Sequence, residues 1–172
     1  MGLIRGVLDR VVLVAAILAA GCVPSFIAQY RQRVGGRLDQ VLQDLIPFEQ
    51  IAQRDFAGNL GALIQHHRDS LDTSFHREGV AIQQMVDAAA QLREAVAALD
   101  TNLYGQFAWL VLHPDPDLFR ATWSAWRPSF DLSLGGLAFA ILAGLALWGL
   151  FLLIWYGAAA SVRRLRGARA DA

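Results

Sequence analysis

Leu132 to Val162 is a run of 31 residues without a charged side chain, and no other feature constrains the fold as strongly. Crossing the hydrocarbon core of a bilayer takes about 20 apolar residues at a rise of 1.5 Å each. The run is therefore long enough to span a membrane with several residues to spare. A buried helix in a soluble protein is a poor alternative, because a chain of 172 residues is one domain and offers too little core to cover such a segment. Trp155 and Tyr156 lie near the end of the run, where amphipathic rings favour the headgroup level. Arg163, Arg164, Arg166 and Arg169 follow at once.

A second uncharged segment, Val11 to Ala28, holds 18 residues between Arg10 and Arg31. It is at the short end of the spanning range, and Pro24 falls near its outer end, where a kink costs least. A rival reading treats residues 1–10 as the charged start of a signal peptide and Val11 to Ala20 as its apolar region. Ala19-Ala20-Gly21-Cys22 then resembles the small-residue signal before a lipidated cysteine, which would make the chain a lipoprotein anchored at Cys22.

Arginine near the spans sets orientation. Residues 1–10 carry Arg5 and Arg10 against Asp9, and the tail from Arg163 carries four Arg against Asp171. The region from Arg31 to Asp131 holds nine Arg and thirteen acids. Arg31, Arg33 and Arg37 follow the first span and argue the opposite way, but the four-Arg tail is the stronger signal. The expectation is a multi-pass protein of the bacterial inner membrane with both termini cytoplasmic. Residues 1–10 form the cytoplasmic start, 11–28 and 132–158 the two transmembrane helices, and 159–172 the Arg-rich cytoplasmic tail. Residues 29–131 form a periplasmic helical domain.

That middle region reads as helix throughout, so the fold class is all-α: two transmembrane helices bracketing an extracytoplasmic helical hairpin or bundle. Val34, Leu38, Val41, Leu45, Phe48 and Ala52 follow a 4-3-4-3-4 spacing. Ile82, Met85, Ala89, Leu92, Val96, Leu99 and Leu103 follow 3-4-3-4-3-4. Both are seams of the coiled-coil type. Their flanks lack the regular opposite charges that select a coiled-coil partner, so the two helices are expected to pair with each other. Gly35-Gly36 should interrupt the first helix, at roughly 1 kcal/mol per Gly relative to Ala, and a close helix contact would account for the pair. Pro47 should bend or end that helix. A turn over residues 55–59 precedes a short helix from Leu60 to about Asp69, and Asp115 is placed to N-cap a helix with Pro116 in its first turn.

Residues 104–130 hold seven of the chain's seventeen aromatic side chains and lead directly into the second apolar run. Phe119, Trp123 and Trp126 recur at i, i+4 and i+7, which places them on one face of a helix from Asp117 to Trp126 lying on the outer leaflet.

The sequence offers little chemistry. His66 and His67 are adjacent and point about 100° apart on a helix, unlike an i, i+4 chelating pair. No carboxylate pair, phosphate-binding loop or nucleophile motif stands out, and a net charge of zero gives no hint of nucleic acid. Neither span carries an ionisable residue in its interior, which argues against a transport path. No enzyme activity, cofactor or metal is expected. The small residues Gly136, Ala140 and Gly144 recur every four positions in the second span, as Ala16 and Ala20 do in the first. Such stripes let helix backbones approach closely in lipid.

The stretch Pro24-x-Phe26-x-x-Gln29-Tyr30-x-Gln32-Arg33-x-Gly35-Gly36 resembles the opening motif of a bacterial membrane-protein family known as domain of unknown function 2937. Further matches are Pro47-Phe48 with Ile51-Ala52, then Gly79, His113-x-Asp115, Thr122-Trp123, Pro128 and the start of the last span, Leu134-Gly135-Gly136-Leu137. The resemblance implies a small inner-membrane protein with helices at both ends, and supplies no catalytic residue. The expected role is a non-enzymatic accessory or scaffold subunit that meets membrane lipids and a membrane-protein partner or a second copy of itself. A lipid-handling or envelope-sensing module built on the aromatic segment is the alternative. The residues expected to carry interaction are Gln29, Tyr30, Arg33, Gly35 and Gly36 after the first span, Trp123, Trp126 and Pro128 before the second, and Gly136, Ala140 and Gly144 within it.

Overall fold

The computed structural model describes the backbone of residues 2–170 and the side chains of residues 6–157. Arg163, Arg164, Arg166 and Arg169, on which the expected orientation rests, have side chains outside that range, as has Arg5. The described residues are all-α, with no strand among them. The order is α1 (Gly2–Gly21), α2 (Val23–Asp55), α3 (Leu60–Arg68), α4 (Thr73–Ala98), α5 (Leu103–Leu112), α6 (Pro116–Ala125) and α7 (Leu134–Ala170). They form two compact units, one from Met1–Ile27 with Trp126–Ala172 and the other from Ala28–Ala125.

The first unit contains both apolar segments, each long and apolar enough to cross a membrane. Leu134–Gly157 has a mean hydropathy of 2.6, and the stretch opened by α1 reaches 2.5. The first segment is two helices, not one: α1 stops at Gly21 and α2 starts at Val23, with Cys22 in a turn between them. Pro24 explains why so little is lost there. It lacks an N–H and sits in the first turn of α2, where that donor would have no helical partner. The neighbouring amides still bond across the break, Cys22 N–H to Ala19 O at 3.2 Å and Phe26 N–H to Cys22 O at 3.3 Å.

Helices α1 and α7 pack along each other. Ala20 and Ala140 are buried in their seam, and a Cβ on Gly144 would stand 2.7 Å from the Cα of Ile17. The small residue at 144 is what lets the two backbones come together. The chain just before α7 closes on α1 as well: Asp131 N–H donates to Gly21 O at 3.2 Å, and the Phe130 ring occupies the space a Gly21 side chain would need. Trp148 donates its indole N–H to Asp9 Oδ1 at 2.8 Å. Asp9 therefore lies beside the middle of the long uncharged run. The helical reach of α1 from Gly2 carries it there, and the indole satisfies one of its oxygens.

The second unit is built on the two seams. Leu45 of α2, Ile64 of α3, and Ile82 and Ala89 of α4 form a buried core, with Leu38, Val41, Phe48 and Met85 packed around it. Arg31 near the start of α2 reaches Asp100 just past the end of α4 at 4.0 Å, so the helices run antiparallel, as expected for seams that pair within one chain. Helix α3 folds back onto α4, where a Cβ on Gly79 would come within 2.9 Å of the Arg68 amide nitrogen. The turn before α3 places Ala57 at φ 52° and Gly58 at φ 83°.

Three expectations fail here. Gly35-Gly36 does not interrupt α2, which runs on through Pro47 to Asp55. Burial of the seam on both sides outweighs the propensity cost of two glycines. The second seam does not continue into Leu103 on one helix: α4 ends at Ala98, and Asn102 caps α5 by accepting from Gly105 N–H at 3.0 Å. The buried Gln106 side chain then donates to Leu99 O and Thr101 O at 3.1 and 2.7 Å, which satisfies the carbonyls left by that break. Finally, α6 stops at Ala125, so Trp126 does not share a helical face with Phe119 and Trp123. Pro128 disfavours helical backbone at Arg127 and closes off any extension.

Candidate functional site

The face of α2 that carries the glycine pair is open. A Cβ on Gly35 or on Gly36 would meet nothing within 4 Å, so the close contact that would account for the pair is not made among the described residues. The missing side chains instead leave a groove on each side of α2. One, of about 550 Å³, runs between α2 and the end of α4, lined by Arg31, Gln32, Gly35, Val96 and Asp100 among others. The other, of about 720 Å³, runs between α2 and α6, lined by Gln29, Gln32, Arg33, Gly36, Arg37 and Asp117 with Leu118 and Ala121. Gln29, Arg33, Gly35 and Gly36 are thus gathered on or beside one exposed strip. Arg33 makes no ion pair and no ring contact among the described residues.

Tyr30 points the other way. It is only 1% exposed, and its hydroxyl donates to no acceptor among the described residues. It lines a smaller cavity of about 220 Å³ with Arg37, Gln91, Trp109 and Asp115, floored by Leu92 and Leu118. Burial pushes the Tyr30 phenol above its ordinary pKa, and the nearby Asp115 carboxylate adds to the shift; the Asp115 backbone opposes it in part. Asp115 is held in place by α6, since its Oδ1 accepts from the N–H groups of Asp117 and Leu118 at 2.9 and 3.0 Å. This is the N-cap expected for that residue.

The aromatic residues divide. Phe119 and Trp123 stack on the surface of α6 with centroids 6.2 Å apart, and Trp123 is 58% exposed. Tyr104, Phe107, Val111 and Leu112 of α5 are exposed as well. Trp126 belongs to the first unit, where it meets the edge of Phe26 at 5.5 Å and donates to Ser25 Oγ at 3.1 Å. Pro128 is exposed. Gly136, Ala140 and Gly144 are buried. Gly144 lies against Ile17, and Gly136 lies against the Asp131 side chain.

Sequence reasoning missed the Tyr30 cavity, because it needs residues from α2, α4, α5 and the cap of α6 that no spacing rule links. It also missed the pairing of Asp9 with Trp148. Three of the four histidines, His66, His67 and His76, sit by the α3–α4 turn: His67 Nδ1 is 3.4 Å from Glu78 Oε2, and His76 Nδ1 is 2.6 Å from Arg68 O. The His67 contact is close enough for an ion pair but does not align as a hydrogen bond.

The chain thus combines two paired apolar helices, each long and apolar enough to cross a membrane, with an all-α unit that carries an open glycine face. The family model described as "Protein of unknown function (DUF2937)" matches residues 4–164, and the chain belongs to that family. No curated protein and no solved structure matches it.

Proposed function

We propose that this protein is a non-enzymatic interaction subunit of the bacterial inner membrane, anchored by two spans with both termini cytoplasmic. The α2–α6 unit then stands on the periplasmic side, where it receives another membrane protein. The observation that carries the reading is the open face at Gly35-Gly36. Two glycines inside a helix cost roughly 1 kcal/mol each, and here no atom of the described residues approaches closely enough to require them. A helix or loop of a partner that seats against bare backbone would require both. The flanking Arg33, Arg37 and Gln32 offer polar contacts around that seat.

The small-residue stripes support the same assignment of surfaces. Gly144 and Ala140 are used up in the packing of α1 on α7; Gly6, Gly149 and Gly157 are open singly on the apolar helices, whereas Gly35-Gly36 is an open adjacent pair in the α2–α6 unit, where polar groups flank it. The same packing, with the Asp9–Trp148 hydrogen bond, favours retention of α1 over cleavage before Cys22. A photo-crosslinking residue in place of Gln32, in cells expressing the chain at natural level, tests the proposal. The expected product is an adduct with a distinct membrane protein that disappears when Gly36→Leu fills the groove. Adducts with lipid alone would refute it.

A second reading rests on the exposed rings of α5 and α6, Phe107, Phe119 and Trp123, whose chemistry suits the lipid interface. It makes the unit a lipid-handling or envelope-sensing module. Brominated lipid should then quench Trp123 strongly; no quenching would remove this reading.

A further inference from the structure

The cavity beside Tyr30 joins groups that have unused bonding capacity. The Tyr30 hydroxyl is buried and donates to no acceptor among the described residues, while the Asp115 backbone beside it favours the ionised phenol. Leaving a buried hydroxyl unpaired forfeits its hydrogen bonds to water with nothing in return, so native structures rarely do so without water or a ligand present. Arg37 and Asp115 both border the cavity, yet they form no ion pair with each other, and Arg37 pairs with no other carboxylate among the described residues. Asp115 spends Oδ1 on the cap of α6 and makes no hydrogen bond through Oδ2 among the described residues. The Trp109 indole N–H likewise makes no hydrogen bond among the described residues. Arg37 and Asp115 thus bring opposite charges to the edge of one cavity with no ion pair between them.

We propose that this cavity binds a small zwitterion whose phosphate engages Arg37 and the Tyr30 hydroxyl and whose ammonium engages Asp115. A simple anion would meet the Asp115 carboxylate, and a simple cation would meet the Arg37 guanidinium. A zwitterion satisfies both charges and supplies the acceptor that the Tyr30 hydroxyl lacks. The cavity volume of about 220 Å³ equals the share of roughly seven liquid waters, which suits a phosphoethanolamine group. Arg37 and Gln91 are exposed, so the site opens to solvent on their side and a headgroup could enter while its acyl chains stayed outside. The same chemistry could reach the site as a free phosphoethanolamine compound or as a lipid headgroup.

The test uses the full-length chain in mild detergent, with O-phosphoethanolamine, inorganic phosphate and ethanolamine as separate probes. Binding is read from the indole N–H resonance of Trp109. Phosphoethanolamine should shift that resonance at concentrations at least tenfold lower than either half-molecule. Tyr30→Phe should weaken its binding tenfold or more while leaving the thermal transition in place, and Asp115→Asn should erase the preference over inorganic phosphate. Phosphate as effective as phosphoethanolamine would overturn the zwitterion, and no shift with any probe would overturn the site. In a second arm the chain is placed in phosphatidylcholine bilayers with and without phosphatidylethanolamine. Loss of soluble binding only when phosphatidylethanolamine is present would identify the headgroup as the source; unchanged binding would identify a free compound.

Discussion

The packing of α1 on α7 makes a prediction that pits two identical substitutions in one helix against each other. In Gly144→Ala the new methyl would lie 2.7 Å from both Cα and Cγ1 of Ile17 and 3.0 Å from its nitrogen. Carbon contacts settle at about 3.5–4.0 Å, so the two helices must part by something close to 1 Å. Two of the three obstructing atoms are backbone, and no rotamer change can move them aside. Overpacking of this kind costs about 1–3 kcal/mol. At about 2–4 °C per kcal/mol for a chain of this size, the thermal transition should fall by roughly 2–12 °C. Gly149→Ala, in the same helix, meets nothing within 4 Å and should be neutral or slightly stabilising. Thermal denaturation in mild detergent, followed by tryptophan fluorescence, compares the two, because Trp148 reports on the same helix pair through its bond to Asp9. Equal effects of the two variants, or a wild-type transition in Gly144→Ala, would refute the packing argument.

Three more predictions follow from single contacts. Asp9→Ala leaves the Trp148 indole without its acceptor and should cost about 1.5–3 kcal/mol; Asp9→Asn keeps an acceptor and should recover most of it in the same denaturation assay. Asn102→Ala removes the N-cap of α5 and should destabilise by about 1 kcal/mol, read as a lower transition of the second unit. The raised pKa of Tyr30 means that the folded chain keeps that proton to higher pH than the unfolded chain does. Its contribution to stability is therefore level below its ordinary pKa of 10.0 and declines as pH rises toward the folded-state value. Tyr30→Phe should flatten that alkaline decline relative to wild type, and an identical decline in both chains would contradict the burial argument.

Much of this architecture is legible in the residue pattern because hydrophobic periodicity and length decide it. The uncharged run from Leu132 reads as a spanning helix on length alone, and the two seams announce an antiparallel pair because each lacks charges that would select another partner. Capping chemistry is equally local, which is why Asp115 and the Leu60 helix fall where the sequence puts them. What the sequence misjudges are contests between local and tertiary terms. Gly35-Gly36 and Pro47 look like helix breakers, but a seam buried along α2 overrides them. The 3-4 pattern reads straight through Leu99, while the hydrogen bonds of Asn102 and Gln106 turn the chain there. Trp126 looks like part of an amphipathic face, yet Pro128 ends the helix before it. The exposed strip at Gln29 to Gly36 is readable as a motif. The cavity behind it is not, since Tyr30, Trp109 and Asp115 meet only after four helices have packed.

The account stands or falls on whether the open face of α2 is occupied in the cell. The most direct measurement is the native mass of the particle extracted in mild detergent from its own membrane at natural expression. The account predicts a particle well above any small multiple of 18.8 kDa, with a co-purifying membrane protein that is lost in Gly36→Leu. A particle of one or a few copies with lipid alone, unchanged by that substitution, would contradict it.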